Sequence, residues 1–181
     1  MRGDIDEKLP VEGVEMVTET IRSYSPIEFH GVKITPITVD HGPVKPALGY
    51  RIDFGGKSVV LSGDTRYSEN LLHAATGCDL LIHEVVAPEV EKRLSQMRDP
   101  AATQRVIDHH TTPEQCGNLF RLTHPKLAVY SHIVPSPTRA SDLLAPTRKE
   151  YAGPLMVGED LMIFEVGERV SVRKWKVIPS R

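Results

Sequence analysis

Residues 58–66 read SVVLSGDTR, and this stretch decides the fold. Its first part is a run of β-branched and aliphatic side chains between serines, which is typical of a strand that is buried on both faces. Gly63, Asp64 and Thr65 then end the strand with turn residues. Proteins that alternate strands and helices carry ligand and catalytic groups at the carboxyl ends of such strands. The stretch therefore predicts a layered α/β fold with Asp64 at a functional edge.

The residues before this stretch predict consecutive strands. Residues 32–39 alternate in part between apolar and polar side chains, and residues 47–54 follow a turn that contains prolines. Phe54-Gly55-Gly56-Lys57 predicts a tight hairpin, because glycine readily adopts the positive φ angle that short hairpins need. Consecutive strands indicate an antiparallel or mixed region beside the α/β layers.

The residues after the stretch alternate between helices and buried strands. Thr112-Pro113-Glu114-Gln115 begins a helix that runs to about Thr123, because Thr is a good N-cap, Pro suits the first helical position and Gln completes a capping box. Residues 88–104 are charged and predict a helical, mobile segment at the surface. The other predictions are helices over residues 68–75 and 141–150, and strands over residues 79–84, 126–130, 155–157, 161–166 and 170–174.

Side chains that bind metals follow several of these strands. Asp64 follows the first strand, His83-Glu84 ends the second, His132 follows the third, and His109-His110 precedes the capped helix. Each has a plain structural explanation on its own, since an Asp in a turn often caps a helix and a buried His is more often structural than ligating. Together they are imidazole and carboxylate groups at one edge, which zinc and manganese prefer as ligands. The convergence predicts a metal or acid–base site.

The composition is that of an ordinary globular chain. Of 181 residues, 40% are hydrophobic and 25% are charged, and the net charge of −2 comes without a basic block that would indicate nucleic-acid binding. Cys78 and Cys116 lie far apart and form no CxxC pair, which argues against a disulfide framework and favours reduced thiols in the cytoplasm. No apolar run is long enough to span a membrane, so no membrane partner is expected.

In this order, the segments LSGDTR, LLIHE, HHTTPEQ and VYSH resemble the second half of ribonuclease Z and its relatives with the metallo-β-lactamase fold. Residues 41–51 are similar to the segment that precedes the GDT strand in that group. The resemblance implies half of a metallo-β-lactamase αββα sandwich, of class α/β (α+β), with a mixed sheet and helices on one face. Residues 1–181 would form a single partial domain, in which residues 1–30 are a loop-like start.

The resemblance also assigns metal ligands. Asp64 matches the carboxylate that bridges two metal ions in this family, and His132 matches the last histidine ligand, which binds one of them. The cofactor implied is Zn²⁺, with two ions in a complete site, or else Mn²⁺ or another divalent metal. The mechanism implied is hydrolysis of a phosphodiester or an ester by a water molecule that the two metals activate.

Further residues match the catalytic machinery. His110 matches the histidine that protonates the leaving oxygen, and His109 is the alternative if the alignment shifts by one residue. Glu84 is expected to orient that histidine, as carboxylates commonly do for a catalytic imidazole. His83 and Glu84 begin a segment that reads HEVV where ribonuclease Z has a HEAT-type segment, and the interval from His83 to His110 is longer than in typical ribonuclease Z.

The HxHxDH sequence that supplies most ligands in this family is absent. None of the eight histidines forms it. His41 is too close in sequence to Asp64 to be the remaining histidine ligand, and His30 lies in a weakly matching stretch. We therefore expect a fragment that is inactive alone and is completed by a missing N-terminal half or by a homo-oligomer. Its uncovered sheet face is expected to expose a large apolar surface.

Several functions remain open from the sequence. The first is a metal-dependent, ribonuclease Z-like phosphodiesterase whose substrate is RNA or a small phosphodiester. The HEVV sequence and the longer interval after it favour a general metallo-hydrolase of the same branch, and an arylsulfatase-like or lactonase-like ester hydrolase is the second function that stays open. The third is a non-catalytic interaction or structural module built on a degenerate half-fold. A basic RNA-binding arm outside this sequence would favour tRNA processing over a small ester.

Overall fold

The computed structural model describes residues 20–96 and 99–174. Its main element is a 7-stranded sheet in which the strands follow one another in chain order, from β1 at one edge to β7 at the other. An antiparallel hairpin of β8 and β9 forms a second, 2-stranded sheet. The strands are β1 Ile27–Phe29, β2 Val32–His41, β3 Val44–Phe54, β4 Lys57–Leu61, β5 Leu80–Val86, β6 Leu127–Val134, β7 Leu155–Val157, β8 Met162–Val166 and β9 Val170–Lys174.

The main sheet changes from antiparallel to parallel pairing at β4. Strands β1 to β4 pair antiparallel, whereas β4 to β7 pair in parallel, which confirms the expected mixed sheet. Gly55 and Gly56 join β3 to β4 with φ angles of +56° and +73°, in the tight hairpin that the sequence predicts. Because β2 and β4 run in the same direction as β5 and β6, the carboxyl ends of these strands lie at one edge of the sheet.

Helices connect the strands of the parallel half. The helix that begins after Thr112 has the expected capping box, in which Thr112 Oγ1 accepts a hydrogen bond from the Gln115 amide at 3.3 Å and Gln115 Oε1 accepts one from the Thr112 amide at 3.0 Å. No helix in the described part of the chain has the length and apolar character to cross a membrane. The helices are α1 Glu69–Ala75, α2 Pro88–Leu94, α3 Pro100–Asp108, α4 Pro113–Thr123 and α5 Ala140–Thr147.

The helices pack against one face of the main sheet, as expected. The larger apolar core joins helix residues such as Leu71, Phe120 and Leu143 to side chains on one face of the strands. Adjacent strand residues point to opposite faces, and the smaller core lies on the other face. Among the described residues, that smaller core draws on the strands and on the β8–β9 hairpin and contains no helix residue.

The start of the described chain differs from the loop predicted over residues 1–30. Residues 1–19 lie outside the described residues, but Ile27–Phe29 forms β1 and pairs antiparallel with residues 32–34. His30 and Gly31 make the turn between the two strands with φ angles of 48° and 80°. A strand of 3 residues is too short to show an alternating pattern, so the sequence did not reveal it.

Residues 88–104 also differ from the expected surface segment. Their helical tendency is confirmed, but they fold into α2 and the first part of α3, and Val90 of α2 packs into the larger core. Thr103 and Ile107 of α3 are buried. Helix α3 therefore anchors the chain directly before His109 and His110.

Two glycines let β3 approach the end of β4 closely. A Cβ atom at Gly49 would lie 2.7 Å from the carbonyl oxygen of Ser62, and a Cβ atom at Gly63 would collide with the carbonyl oxygen of Leu48. Gly63 also has a φ angle of +65°, which side chains with a Cβ atom adopt only at a cost. The backbone thus turns directly after β4, and this turn carries Asp64.

Replacement of Gly63 by alanine should cost far more stability than the same change at Gly77, which has a φ of +68° but no atom near its Cβ position. Gly77→Ala adds only left-handed strain, about 1–2 kcal/mol. Gly63→Ala adds a collision with the backbone at Leu48 and should lower the free energy of unfolding by more than ~3 kcal/mol. Urea unfolding followed by circular dichroism measures both losses. Equal losses would contradict the close approach of β3 to Gly63.

Candidate metal centre

Three imidazoles surround the carboxylate of Asp64. Asp64 Oδ1 lies 3.2 Å from His41 Nδ1 and 3.3 Å from His110 Nε2, and Asp64 Oδ2 lies 3.4 Å from His132 Nε2. His41 ends β2, Asp64 follows β4, His110 lies between α3 and α4, and His132 lies in β6. They converge because the carboxyl ends of β2, β4 and β6 share one edge of the sheet. We call these residues the Asp64 cluster.

A β-bulge in β6 accompanies the placement of His132. The pairing between β5 and β6 shifts between His83 and Val85, so that β6 carries an extra residue at this point. His132 has a φ angle of 42°, a left-handed conformation that a residue other than glycine adopts only where its surroundings enforce it. Bulges of this kind redirect a side chain and are common next to functional sites.

Asp64 Oδ1 is buried and has no hydrogen-bond partner among the described residues. Buried polar atoms rarely lack a hydrogen-bond partner, and a bound cation would supply the missing partner. Asp64, His110 and His132 each offer a ligand atom, and these atoms all lie within 4.8 Å of one another. Imidazole nitrogen and carboxylate oxygen are the ligands that zinc and related divalent metals take. The residues present therefore fit a divalent metal ion.

Backbone carbonyl groups fix the two imidazoles nearest to Asp64 Oδ1. His110 Nδ1 lies 2.7 Å from the carbonyl oxygen of Val106, and His41 Nδ1 lies 3.0 Å from that of His109. A carbonyl oxygen only accepts hydrogen bonds, so Nδ1 carries the proton in both rings. Neutral His110 therefore turns a lone pair on Nε2 toward Asp64, which explains why it does not satisfy that carboxylate. Burial lowers the pKa of His110 and favours this neutral form.

His110 faces Asp64, whereas the neighbouring His109 packs elsewhere. The ring of His109 lies against Gly42, where a Cβ atom would come within 2.7 Å of His109 Cδ2. Gly42 is thus required for His109 to pack there. Of the two adjacent histidines, the structure brings His110 into the cluster.

Asp40 ties the end of β2, which carries His41, to the loop that carries Asp64. Its carboxylate accepts hydrogen bonds from the Gly42 amide at 3.0 Å and from Arg66 Nη2 at 2.6 Å. Its carbonyl oxygen accepts one from the Arg66 amide at 2.8 Å. The hydrogen bond from Arg66 is the main cause that lowers the pKa of Asp40. Both flanks of the cluster are thus held by contacts that leave its ligand atoms free.

Glu84 is buried, but its contacts differ from those expected. Its Oε1 accepts a hydrogen bond from the Thr111 amide at 2.7 Å, and its Oε2 has no partner in the described part of the chain. Burial raises the pKa of Glu84 to about 9, so the carboxyl group is protonated at neutral pH. The carboxyl group of Glu84 makes no hydrogen bond to the His110 ring among the described residues, and the Val106 carbonyl oxygen instead accepts the hydrogen bond from His110 Nδ1. Glu84 instead fixes the backbone next to His110.

His83 belongs to the core rather than to the cluster. Its side chain is fully buried, its Nδ1 donates to the Glu84 carbonyl oxygen at 2.7 Å, and its ring meets Phe120 of α4 edge-on at 6.0 Å between centroids. Cys116 Sγ lies 3.7 Å from the same nitrogen. The sequence grouped His83 with Glu84 and His110 as candidate catalytic residues, but β5 turns its side chain toward the helices and away from the Asp64 cluster.

On sequence grounds His41 is set aside as the remaining histidine ligand, but the structure brings its Nδ1 to 3.2 Å from Asp64 Oδ1. Closeness in sequence therefore does not keep His41 away from the cluster. Strand β3 runs away from the edge and β4 returns to it, so the ends of β2 and β4 meet although few residues separate them. The same signal that selected Asp64, a polar residue at the carboxyl end of a strand, also applies to His41.

Comparison with known proteins identifies relatives of this chain. The model of a family described as the beta-lactamase superfamily domain matches residues 3–133. Ribonuclease Z of Mycobacterium tuberculosis is 32% identical over 141 residues, which are 77% of this chain and 50% of that protein. Ribonuclease Z of Mycobacterium marinum is 28% identical over 170 residues, which are 92% of this chain and 57% of that protein. The chain thus spans about half the length of these relatives.

Solved structures share the fold. The metallo-β-lactamase fold protein YhfI from Bacillus subtilis superimposes with a TM-score of 0.60 at 18% identity, over 86% of this chain and 60% of that chain. The short form of human tRNase Z superimposes with a TM-score of 0.52 at 15% identity, over 78% of this chain and 46% of that chain. The fold expected from the sequence is thereby confirmed.

The buried His83 should make His83→Gln less sensitive to acid than the parent chain. Burial lowers the pKa of His83 from 6.5 to about 4, so between these values the unfolded chain binds a proton that the folded chain does not. Each pH unit lost in this window destabilises the parent by up to ~1.4 kcal/mol through His83. The raised pKa of Glu84 makes the opposite contribution to the pH dependence of stability, but it is present in both proteins. The difference between their free energies of unfolding therefore reports on His83.

The measurement is the free energy of unfolding of both proteins between pH 6.5 and pH 4, which are the two ends of the His83 window. The stability of His83→Gln relative to the parent should rise as the pH falls. His73→Gln, at an exposed position of α1, is the matched control and should follow the parent curve. A constant difference between His83→Gln and the parent would show that His83 is not neutral in the core.

Proposed function

The chain belongs to the beta-lactamase superfamily, and from this membership we propose that the Asp64 cluster is part of a metal-dependent hydrolase site that acts on phosphodiesters. The observation that carries the proposal is the buried Oδ1 of Asp64, which lies among imidazole nitrogens without a hydrogen-bond partner among the described residues. A site built only for structural stability would pair such an oxygen. A site built for a cation keeps it free.

Asp64 and His132 would hold the metal, and His41 adds a third side chain at the same edge. The ion would be Zn²⁺, Mn²⁺ or another divalent metal, and when bound it supplies a water molecule of lowered pKa and a charge that stabilises the developing anion. The Asp40 contacts keep the backbone on both flanks in place. The chain thus supplies ligands whose neighbouring backbone is held by hydrogen bonds to Asp40.

His110 is proposed as the group that delivers a proton to the leaving oxygen. The Val106 carbonyl holds its Nδ1, so Nε2 is the atom that takes up and gives back the proton. Burial lowers the pKa of this imidazole, which makes its protonated form a stronger acid toward a leaving alkoxide. Glu84, through the Thr111 amide, is a positioning residue for this segment.

The remaining ligands would come from outside residues 1–181, because none of the eight histidines forms an HxHxDH run. We infer that a further polypeptide segment or a second copy of the chain supplies them, and that the assembled protein works in the cytoplasm. In the described part of the chain, the sheet face opposite the helices is packed only against the β8–β9 hairpin, so a further segment would add to the hairpin on this face. RNA is a proposed substrate because the relatives from Mycobacterium carry the name ribonuclease Z.

The function is tested by reading the source DNA upstream of the codon for Met1 and expressing the chain with any coding sequence found there. We expect an in-frame HxHxDH and zinc-dependent hydrolysis of bis(p-nitrophenyl) phosphate. A metal-saturated protein that contains HxHxDH and leaves this substrate intact, while it hydrolyses p-nitrophenyl acetate, would favour the ester hydrolase instead. A stop codon directly upstream, with no activity in the expressed protein, would favour the non-catalytic module.

Asp64→Asn should strongly weaken metal binding by the chain itself. Titration with Co²⁺, followed by its visible absorption bands, measures the affinity. Loss of a residue that merely supports a ligand weakens metal binding roughly 10- to 100-fold, so loss of the Asp64 ligand should weaken it by at least about 100-fold. Asp108→Asn is the matched control, because Asp108 is an exposed carboxylate near the cluster that bonds to Gln104. Equal affinities for both variants would contradict the proposed ligand.

A further inference from the structure

A cavity of about 750 Å³ opens beside the Asp64 cluster, between β2, the start of β3 and α1. Its size falls in the range of about 300–1,000 Å³ that is usual for sites that hold small organic ligands. His41 and Gly42 line the cavity on the side of the cluster, and Arg66 and Lys45 also belong to its wall. A substrate whose reacting group meets Asp64 would therefore extend into a space that contains two cationic side chains.

Arg66 stands between this cavity and a second one. The second cavity, of about 370 Å³, is lined by Arg66 together with His110 and residues around the start of α4. His41 lines the first cavity and His110 lines the second cavity. These two imidazoles flank Asp64 Oδ1. The side chain of Arg66 is 49% exposed, so a ligand can reach it. Arg66 thus lies where both cavities border the loop that carries Asp64.

Arg66 is held in place yet keeps donors free. Its Nη2 donates to Asp40 Oδ2 at 2.6 Å, and its backbone amide donates to the Asp40 carbonyl oxygen at 2.8 Å. A guanidinium has five N–H donors, and the described residues give no partner to Nε or Nη1 of Arg66. Such a preorganised guanidinium loses little freedom when it binds an oxyanion.

Lys45 adds a charge that Asp40 does not neutralise. Within the part of the chain that the structure describes, Lys45 is exposed and forms no ion pair. Arg66 and Lys45 carry two positive charges, whereas Asp40 is the one carboxylate among the described residues that line the cavity. A neutral ester or lactone would gain nothing from this charge, whereas an oxyanion would be attracted by it.

We propose that Arg66 and Lys45 form an anion-recognition subsite that binds the non-bridging oxygens of a phosphodiester next to the Asp64 cluster. The inference rests on the proposed function and narrows it, because it selects phosphodiesters over neutral esters by a feature of this chain. The organic group of the substrate occupies the cavity bounded by β2 and α1. The competing explanation is that Arg66 only ties its loop to Asp40.

The experiment is a metal-free NMR titration of the full chain, with ¹H–¹⁵N spectra recorded at low salt. The probe is dimethyl phosphate, a monoanionic phosphodiester, and trimethyl phosphate is its uncharged counterpart. We expect saturable shifts at the amides of Gly42, Lys45 and Arg66 with dimethyl phosphate and none with trimethyl phosphate. Because no metal is present, failure of this binding would leave the metal-site proposal standing, and failure of metal binding would leave this one standing.

Arg66→Gln should weaken the binding of dimethyl phosphate roughly tenfold or more, as expected for loss of a charged hydrogen bond. Arg139→Gln is the matched control, because Arg139 also pairs with a nearby carboxylate, that of Asp142 at 3.1 Å, on another part of the surface. Arg66→Gln also removes the contact with Asp40, so Lys45→Gln is measured as a second variant that leaves that contact intact. It should weaken binding several-fold.

Equal binding of the charged and the neutral probe would overturn the proposal. So would unchanged affinity in both Arg66→Gln and Lys45→Gln, or shifts that occur at Arg139 rather than at Arg66. Any of these results would leave Arg66 with the structural role of tying its loop to Asp40.

Discussion

A single carboxylate oxygen of Asp64, buried among imidazole nitrogens and without a hydrogen-bond partner among the described residues, is the constraint around which this edge of the molecule is organised. Buried polar atoms rarely lack a hydrogen-bond partner. Separate features fix the segments around this oxygen: the left-handed Gly63 after β4, the bulge at His132, and the capping box that follows His110. A divalent cation bound by Asp64 would give this oxygen a partner.

The sheet topology explains why residues from distant parts of the sequence meet. The chain reverses direction twice between β2 and β4, because β2 and β3 pair antiparallel and so do β3 and β4. Parallel pairing then continues from β4 to β6. All three strands therefore point the same way, and their carboxyl ends deliver His41, Asp64 and His132 to one edge. The proposed anion subsite extends this arrangement, because Arg66 follows Asp64 in the same loop and Asp40 precedes His41 in the same strand.

The sequence predicted those features that depend on the preferences of residues close together in the chain. The Gly55-Gly56 hairpin, the capping box at Thr112 and the meeting of Asp64, His110 and His132 follow from turn glycines, cap residues and polar strand ends. It failed where the outcome depends on tertiary packing. His83 ends a strand as the other candidates do, but only the packed structure shows that its side chain turns toward α4. His41 was set aside as a ligand because it is close to Asp64 in sequence. The antiparallel strands β2, β3 and β4 nevertheless bring the ends of β2 and β4 together, and with them His41 and Asp64.

Whether the Asp64 cluster holds a metal ion can be read from crystals of the chain grown with Zn²⁺ and measured at energies above and below the zinc absorption edge. We expect an anomalous peak within bonding distance of Asp64 and His132, with the His110 Nδ1 contact to Val106 retained. An ordered cluster that shows no peak at saturating Zn²⁺, with Asp64 hydrogen-bonded to the surrounding imidazoles instead, would contradict this expectation.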